Sequence, residues 1–542
     1  MNQNAPYSEP TSELTPSDRE RSAVVRASST ELWGAHPSRV LTKASSPSRT
    51  FINGLIKATR STIAAVKEVR FGETPKPAPE TGALPGQCLP RLFAVTIATI
   101  AFASSTALAG TPSLKGSIIE TNIPNANAAS SWADGDYLFG DWGGLRTRLA
   151  ESGVTFDSYY VANPAGNVSG GKRRGFSYVD NFYLGITLDL EKIMNWHGAQ
   201  FMTSIINRSG GSVTNAYVGS QYDVQQVHGG QNFFFYNLTL EQKFWDDKVK
   251  LKVGRFAASD DFNTSPLYGL YMNNGIDGNI RNVLFDTQFS AYPFATWAAR
   301  LRVDPTPEFN IQFGVFQTWD RIFDRRHNGL DWSIRGNDGV MMLAQVGWTP
   351  EFFKRAVPTD GGGKTDGKTA AAPQMKGLPG HYWIGGSYSP WKGYSQFGST
   401  EKATGSYGFY VHGDQMVYQE APGSDEGLTL FVDSGYYPQD NISIIPWQFN
   451  VGAFYTGLLP GRPKDKTIAG LIYGAFGGDY AQTIETAGNG RPEHESVVEL
   501  GYRIQFTKFA YLQPDFQYVA HPGGTGRIPD AIVIGAQMGL SF

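Results

Sequence analysis

The sequence predicts an all-β protein: a transmembrane antiparallel β-barrel of about 16 strands, preceded by a short N-terminal helix. Three observations support this prediction. The 542 residues include 63 glycines and 13% aromatic residues, a composition typical of strands and turns. Apolar and polar residues alternate with a period of two from Val154 onward. The final segment is a long alternating row that ends on Phe542.

Composition excludes several classes of protein. One cysteine excludes a disulfide scaffold and a structural zinc site. A net charge of -3 argues against a nucleic-acid partner. No apolar run approaches the ~18 residues of a membrane-spanning helix, which excludes a polytopic helical membrane protein. The eight histidines are scattered, so we predict no metal site, and we predict no cofactor and no catalytic residue.

The N-terminal part of the chain has the character of an export signal behind a polar extension. Residues 1–90 are predicted to be a disordered extension, which a misplaced start site would explain. Residues 91–109 are predicted to be a signal peptide, because Arg91 precedes the apolar run Leu92–Ala103 and then Ala107-Leu108-Ala109. Cleavage after Ala109 would remove Cys88. Residues 110–136 are predicted to be a polar spacer, and residues 137–542 the barrel.

A single helix is predicted between the spacer and the first strand. Asp141 is a candidate N-cap, Leu145 and Leu149 share one face, and Gly153 is a candidate stop. Two positions for this helix remain open: a plug at the barrel end, or a stub that packs on the wall.

The strands are predicted from rows of alternating residues. Leu251 and Val253 alternate with Lys250 and Lys252 after a tight turn at Asp246-Asp247. Arg300 and Arg302 occupy the polar face of a second hairpin, which is predicted to turn at residues 304–307. A third row is predicted to share one face, and it consists of Phe182, Leu184, Ile186, Leu188 and Leu190.

Alternation alone fits either a β-sandwich or a membrane barrel. Charged residues in mid-strand favour the barrel, because its polar face lines a wet lumen. Tight turns also alternate with long segments predicted as polar loops, at residues 210–230 and 320–338. The last strand places Ile532, Ile534 and Phe542 in one apolar row, and closing the barrel would pair it with the first strand.

A long segment after a lysine-bearing strand, residues 254–281, is the candidate pore site. Carboxylates and guanidinium groups can form paired hydrogen bonds with a polar solute, and aromatic rings offer it flat apolar surfaces. Whether this segment folds into the lumen or lies outside as an ordinary surface loop remains open. If it folds inward, the candidate pore residues are Arg255, Asp260, Asp261, Asn263, Asn273, Asn274 and Arg281, with Arg300 and Arg302 added by strand parity.

Seven segments occur in order between Gly140 and Phe542: Gly140–Val154, Lys252–Phe262, Ala291–Val303, Leu378–Tyr388, Gly427–Pro438, Phe454–Lys466 and Leu512–Gly524. In sequence and in order they resemble one family, the carbohydrate-selective outer-membrane porins of the OprB type. The resemblance implies a 16-stranded barrel with an arginine-and-carboxylate eyelet flanked by aromatic residues. The N-terminal extension and an insert at Thr359–Lys376 depart from the family pattern. A P-loop-like motif within that insert is interpreted as a flexible polar loop.

The predicted function is passive, selective diffusion of sugars such as glucose through the bacterial outer membrane. Predicted partners are monosaccharides or small oligosaccharides, outer-membrane lipid, and the barrel-assembly machinery acting through Phe542. Three alternatives remain: a general or anion-preferring porin, an outer-membrane hydrolase on the same barrel, and a soluble sugar-binding sandwich.

Overall fold

The computed structural model describes residues 132–356 and 375–542. The predicted extension (1–90), the signal peptide (91–109), the spacer up to residue 131 and nearly all of the insert at Thr359–Lys376 lie outside the described residues. These four assignments therefore stay predictions.

Sixteen strands of the described chain form one closed antiparallel barrel. Each strand pairs with the next along the chain, and the last pairs with the first, with Tyr160 opposite Leu540 and Gly166 opposite Ile534. The strands are β1 (Val154–Ser169), β2 (Gly175–Asp189), β3 (Ala199–Gly210), β4 (Phe233–Phe244), β5 (Val249–Phe256), β6 (Thr296–Thr306), β7 (Phe309–Thr318), β8 (Gly339–Trp348), β9 (Met375–Ser389), β10 (Ser406–Gln419), β11 (Gly427–Tyr436), β12 (Trp447–Thr456), β13 (Lys466–Ala475), β14 (His494–Thr507), β15 (Ala510–Ala520) and β16 (Ala531–Ser541).

Alternate residues of each strand point to an apolar outer face and to a polar lumen, as the alternation in the sequence predicts. Leu251 and Leu301 are exposed on the outside, where no protein covers them. Lys252 and Arg300 are cross-strand partners on β5 and β6 and point inward, where they form ion pairs. An apolar outer row and a charged inner row within the same strands are what distinguish a membrane barrel from a sandwich.

The two ends of the barrel carry different connections. One end has long connections such as residues 211–232, 257–295 and 319–338, and we call it the long-loop end. The other has short turns such as residues 245–248 and 307–308, and we call it the short-turn end.

Two predicted boundaries are wrong by a few residues. Strand β2 ends at Asp189, and Leu190 starts helix α2 (Leu190–Met194) because the Asp189 carboxylate accepts hydrogen bonds from the next turn of backbone. Strand β6 continues through residues 304–306, with an irregular register, so the turn occupies only residues 307–308.

The N-terminal helix forms where it is predicted but packs differently. Helix α1 (Leu145–Glu151) leaves Leu145 exposed and buries Arg146 instead. The Arg146 guanidinium donates to the Phe156 carbonyl oxygen (2.6 Å) and lies over the Tyr137 ring. The helix therefore packs on β1. The Asp141 carboxylate accepts from the Thr147 amide (2.8 Å) but does not occupy the N-cap position, which is Gly144.

Phe542 does not join the outward apolar row in which the sequence places it. Strand β16 ends at Ser541, and the Phe542 ring is buried and stacks on Phe139, with ring centroids 5.2 Å apart. Leu138 also donates its amide to the Ser541 carbonyl oxygen (2.8 Å). The segment before α1 therefore covers the end of the final strand.

Two further helices lie in connections at the long-loop end: α3 (Arg281–Phe285) and α4 (Gly478–Thr486). Among the residues that the structure describes, no helix is both long enough and apolar enough to cross a membrane.

Candidate pore constriction

Residues 257–295, between β5 and β6, fold into the barrel, and we call them the pore loop. Tyr268, Tyr271 and Met272 of this loop are fully buried. The Tyr271 hydroxyl donates to the carbonyl oxygens of Ala453 (3.1 Å) and Ala469 (3.0 Å), on β12 and β13. The loop thus crosses the lumen and reaches the wall opposite its own strands.

Residues 211–232, between β3 and β4, also fold inward, and we call them the companion loop. The sequence predicts a long polar loop over residues 210–230 without assigning its direction, and the structure shows that apolar residues of this segment pack inside the barrel. Val213, Tyr222 and Val224 have no exposed surface. These apolar residues were a signal of inward packing, because a surface loop seldom needs several of them.

Buried carboxylates of β14 hold both loops across the lumen. The Glu499 carboxylate accepts hydrogen bonds from the Met272 amide (2.5 Å) and the Asn273 amide (3.1 Å) of the pore loop. The Glu495 carboxylate accepts from the Gln221 amide (3.0 Å) and the Tyr222 amide (3.1 Å) of the companion loop. Two backbone amides of each loop converge on one carboxyl group, so these contacts define the position of both loop tips.

We expect Glu499→Gln to loosen the pore loop and raise single-channel conductance and current noise. The glutamine can present one oxygen to a loop amide, but its NH₂ group would face the other amide, losing about 2 kcal/mol of anchoring. Planar-bilayer recording of the folded variant measures the effect. The control is Glu493→Gln, at an exposed position directly before β14, at the long-loop end of the barrel. Identical traces from wild type and both variants would contradict the anchoring role.

The two loops and strands β1–β3 enclose a lumenal cavity of about 950 Å³, including space open to solvent. Its polar and aromatic lining includes Tyr159, Asn181, Arg208, Gln226, His228, Asp260, Asn274, Asp277, Arg281, Tyr292 and Gln537.

One wall of the cavity combines a guanidinium with aromatic rings. The Arg208 Nε donates to Asn181 Oδ1 (3.0 Å), and its Nη1 donates to the Gly229 carbonyl oxygen (2.9 Å). The guanidinium lies 4.8 Å from the centre of the Tyr292 ring. The Tyr159 ring stacks on Tyr183 beside them. Flat rings next to a fixed donor fork suit a ring-shaped ligand that carries hydroxyl groups.

A second guanidinium, that of Arg281, also lines the cavity. Arg281 lies over the Phe285 ring at 4.0 Å, and its Nη2 is 4.0 Å from the Asp223 carboxylate. Burial lowers the pKa of Arg281 to about 10, so it remains charged at neutral pH. Asn274 is held in place because its Oδ1 accepts from the Asp223 amide (3.1 Å).

Two carboxyl groups complete the cavity. The Asp260 carboxylate accepts a hydrogen bond from the Tyr236 hydroxyl, and burial raises its pKa to about 6. Burial raises the pKa of Asp277 further, to about 8, against the opposing charges of Arg503 and Arg208. At neutral pH Asp277 is therefore mainly a neutral hydroxyl donor.

We expect the pore to become more cation-preferring as pH rises through about 8, because Asp277 then gains a negative charge. Because folding raises this pKa, the protonated carboxyl stabilises the fold fully below its unfolded pKa of about 3.9, and this contribution is lost progressively as pH rises to about 8. Reversal potentials under a KCl gradient, between about pH 7 and about pH 9, measure the change. Asp277→Asn should flatten this response, and an unchanged response in that variant would contradict the assignment.

The structure brings only part of the sequence-predicted set to the cavity. Asp260, Asn274 and Arg281 line it. Asn263 is fully buried and does not line the cavity, and its backbone amide donates to Gln345 Oε1 (3.0 Å). Asn273 fastens the loop to the far wall through Gln517 Oε1 (2.9 Å).

Asp261, Arg300 and Arg302 belong instead to a lumenal ion-pair ladder on β4–β6. The Asp261 carboxylate joins Lys252 Nζ (3.0 Å) and Arg300 Nη2 (3.2 Å). Burial alone would raise the pKa of Asp261, but Lys252 and Arg300 outweigh it and lower the pKa to about 2. The ladder consists of Glu241, Lys250, Lys252, Asp261, Arg300, Arg302 and Asp304.

Arg255 lies away from the cavity, on the outer side of the wall. It is the cross-strand partner of Trp297 and shares the outward row of Leu251 and Val253. Its Nη1 donates to the Asp331 carbonyl oxygen (2.7 Å) and its Nη2 to the Ala295 carbonyl oxygen (2.8 Å). Strand parity, applied one residue pair further along β5, would have indicated this position.

Several cavity residues are not among those predicted from the sequence, notably Arg208, Asn181, Tyr159, Tyr292 and His228. Asn181 shares the polar face of β2 that the alternation indicates, so parity could have found it. Arg208 is its cross-strand partner on β3, which only the register reveals. Tyr292 and His228 lie in the two inward loops, whose paths the alternation does not describe. No cluster of three metal-binding side chains occurs within 132–356 and 375–542.

Residues 173–542 match the family model for the carbohydrate-selective porin, OprB family. The chain belongs to this family. It is 26% identical over 451 residues to Porin B of Pseudomonas aeruginosa, covering 77% of this chain and 94% of that protein. It is 24% identical over 435 residues to the putative porin QuiX of Acinetobacter baylyi, covering 76% and 94%.

The porin also resembles a solved structure, Pseudomonas putida OprB at high pH. The TM-score is 0.67 at 26% identity, covering 76% of this chain and 100% of that one. The molecule is therefore a sugar-selective porin of the bacterial outer membrane. In such barrels short turns face the periplasm and long loops face outward, so the long-loop end of this porin is extracellular.

Proposed function

We propose that the lumenal cavity between the pore loop and the companion loop is the constriction that selects sugars. One observation carries this proposal: the guanidinium groups of Arg208 and Arg281 both line a space that two inward-folded loops have narrowed. Asp260, Asp277 and Asn274 add acceptors and donors. Sugar hydroxyls pair with such groups, while Tyr159 and Tyr292 offer flat surfaces to the C–H face of the ring.

Passage would be diffusive and binding weak. A selective pore must bind its solute well enough to admit it and weakly enough to release it. The ion-pair ladder supports a preference for neutral solutes, because each of its four cations lies beside one of its three carboxylates instead of facing the lumen alone. This arrangement weighs against the alternative of an anion-preferring porin.

Liposome swelling tests the proposal. Vesicles containing the purified porin should swell faster in glucose than in an uncharged non-sugar solute of equal size, and glucose should reduce ion current through single channels. Equal swelling rates without current block would support a general porin. Release of hydrolysis product from an oligosaccharide would support the outer-membrane hydrolase, the alternative in which this barrel acts as an enzyme.

We also propose that acyl chains contact the outward rows of the strands, and that the assembly machinery recognises the final strand through Phe542. Because Phe139 covers the Phe542 ring in the finished barrel, recognition would precede that packing. Phe542→Ala should lower the yield of assembled barrel, measured as heat-modifiable migration on a gel, whereas Phe139→Ala should reduce stability with less effect on yield. Equal yields from wild type and Phe542→Ala would contradict this role.

A further inference from the structure

The connection between β7 and β8, residues 319–338, lies over the outer face of the barrel, and we call it the rim loop. The Phe235 amide on β4 donates to the Asn328 carbonyl oxygen (2.9 Å). The Trp332 ring packs on Phe235 (5.6 Å between centroids) and on Trp297 (6.2 Å), which belongs to the outward row of β6. The rim loop therefore covers the lipid-facing side of β4–β6 at the extracellular end.

Beneath the rim loop is a buried arginine in a row that otherwise faces lipid. A charged side chain on this face is costly unless partners satisfy it. Arg255 has two such partners in the Asp331 and Ala295 carbonyl oxygens, and its guanidinium lies 5.9 Å and 5.7 Å from the Trp297 and Trp332 rings. Its Nε has no hydrogen-bond partner in the described structure. These contacts hold the rim loop against the wall in a defined position.

The free surface of the rim loop combines apolar and basic side chains. Ile334 is 74% exposed and Leu330 59% exposed, beside the half-exposed Trp332. The Arg326 side chain is 80% exposed, against 13% for its partner Asp324. Arg335 and Arg325 are also exposed, whereas Asp338 is almost fully buried. Asp324 and Asp338 are therefore largely buried and Asp320 is exposed, whereas the three arginines at 325, 326 and 335 are all exposed.

We propose that the rim loop is a docking surface for a phosphorylated, multiply acylated glycolipid of the outer leaflet. Arg325, Arg326 and Arg335 would bind its phosphates, since guanidinium groups match phosphate oxygens with paired hydrogen bonds. Ile334 and Leu330 would contact its acyl chains. A second copy of the porin fits this surface less well, because self-association through it would bring arginines against arginines.

Native mass spectrometry of the detergent-purified porin tests this proposal. The probes are diphosphoryl lipid A, the same lipid with its phosphates removed, and phosphatidylethanolamine. Diphosphoryl lipid A should bind most tightly. The triple variant Arg325→Ala, Arg326→Ala, Arg335→Ala should lower the affinity for this lipid about tenfold or more. Ile334→Ser should lower the affinity for the phosphorylated and the dephosphorylated lipid by the same factor. A double variant of arginines on other extracellular loops, Arg491→Ala with Arg527→Ala, is the control.

Three outcomes would overturn the proposal. One is equal binding of diphosphoryl lipid A by wild type and the triple variant, with heat-modifiable migration confirming that both are folded. Another is equal wild-type affinity for the phosphorylated and dephosphorylated lipids. The third is a wild-type dimer that the triple variant disrupts, which would assign the surface to a second copy of the chain.

Discussion

Replacing Asp261 with asparagine is expected to make the pore prefer anions. Lys252 would lose its carboxylate partner, and Arg300 would keep only Glu241. One unpaired positive charge about 8 Å from a passing ion is worth about 0.5 kcal/mol even at the dielectric constant of water. Because the effects on chloride and potassium have opposite signs, their permeability ratio should rise about fivefold. Reversal potentials across a KCl gradient measure this ratio.

A suitable control for this experiment is Asp320→Asn, which removes an exposed carboxylate from the rim loop. It should leave ion selectivity unchanged. If Asp261→Asn forms a stable barrel and still shows the wild-type permeability ratio, the ladder does not set the charge preference of the lumen.

Replacing Arg208 with alanine is expected to abolish most of the block of ion current by glucose. A hydrogen bond from a charged donor to a bound hydroxyl contributes about 1.5–3 kcal/mol, so half-saturation should move to about tenfold higher glucose or beyond. Arg208→Lys keeps the charge but loses the fork of paired donors, and it should give an intermediate loss. Single-channel recording with increasing glucose measures all three proteins.

Arg491→Ala is the matched control for Arg208, because it removes an exposed arginine at the extracellular end without touching the cavity. Glucose should block the ion current of this variant as strongly as that of the wild type. Undiminished glucose block in a folded Arg208→Ala porin would remove this residue from the constriction and leave Arg281 as the candidate guanidinium of the cavity.

The barrel could be predicted from the sequence because its signal is local. A strand shows its two faces to different surroundings, so the alternation of Leu251 and Val253 with Lys250 and Lys252 already states which side meets water. The antiparallel closure of β16 on β1 then follows from the need to leave no open edge. Boundaries were less predictable where a side chain such as Asp189 caps a short helix.

The constriction could be predicted only in part, because it depends on contacts between distant segments. Asp260, Asn274 and Arg281 come from one loop and were within reach of sequence reasoning. Arg208 becomes a cavity residue through its register with Asn181 and through the backbone of the companion loop. Arg255 shows the opposite case, since a residue of suitable chemistry points to the wrong side of the wall.

The anchoring of the pore loop on Glu499 bears on the order in which the molecule can be completed. Met272 and Glu499 are 227 positions apart, so the anchor exists only after the fourteenth strand has been synthesised and placed. In a chain halted earlier, the pore loop would have no anchor and could not narrow the lumen. The same holds for a mutation that displaces β14. Discrimination between solutes is thus acquired late in biogenesis.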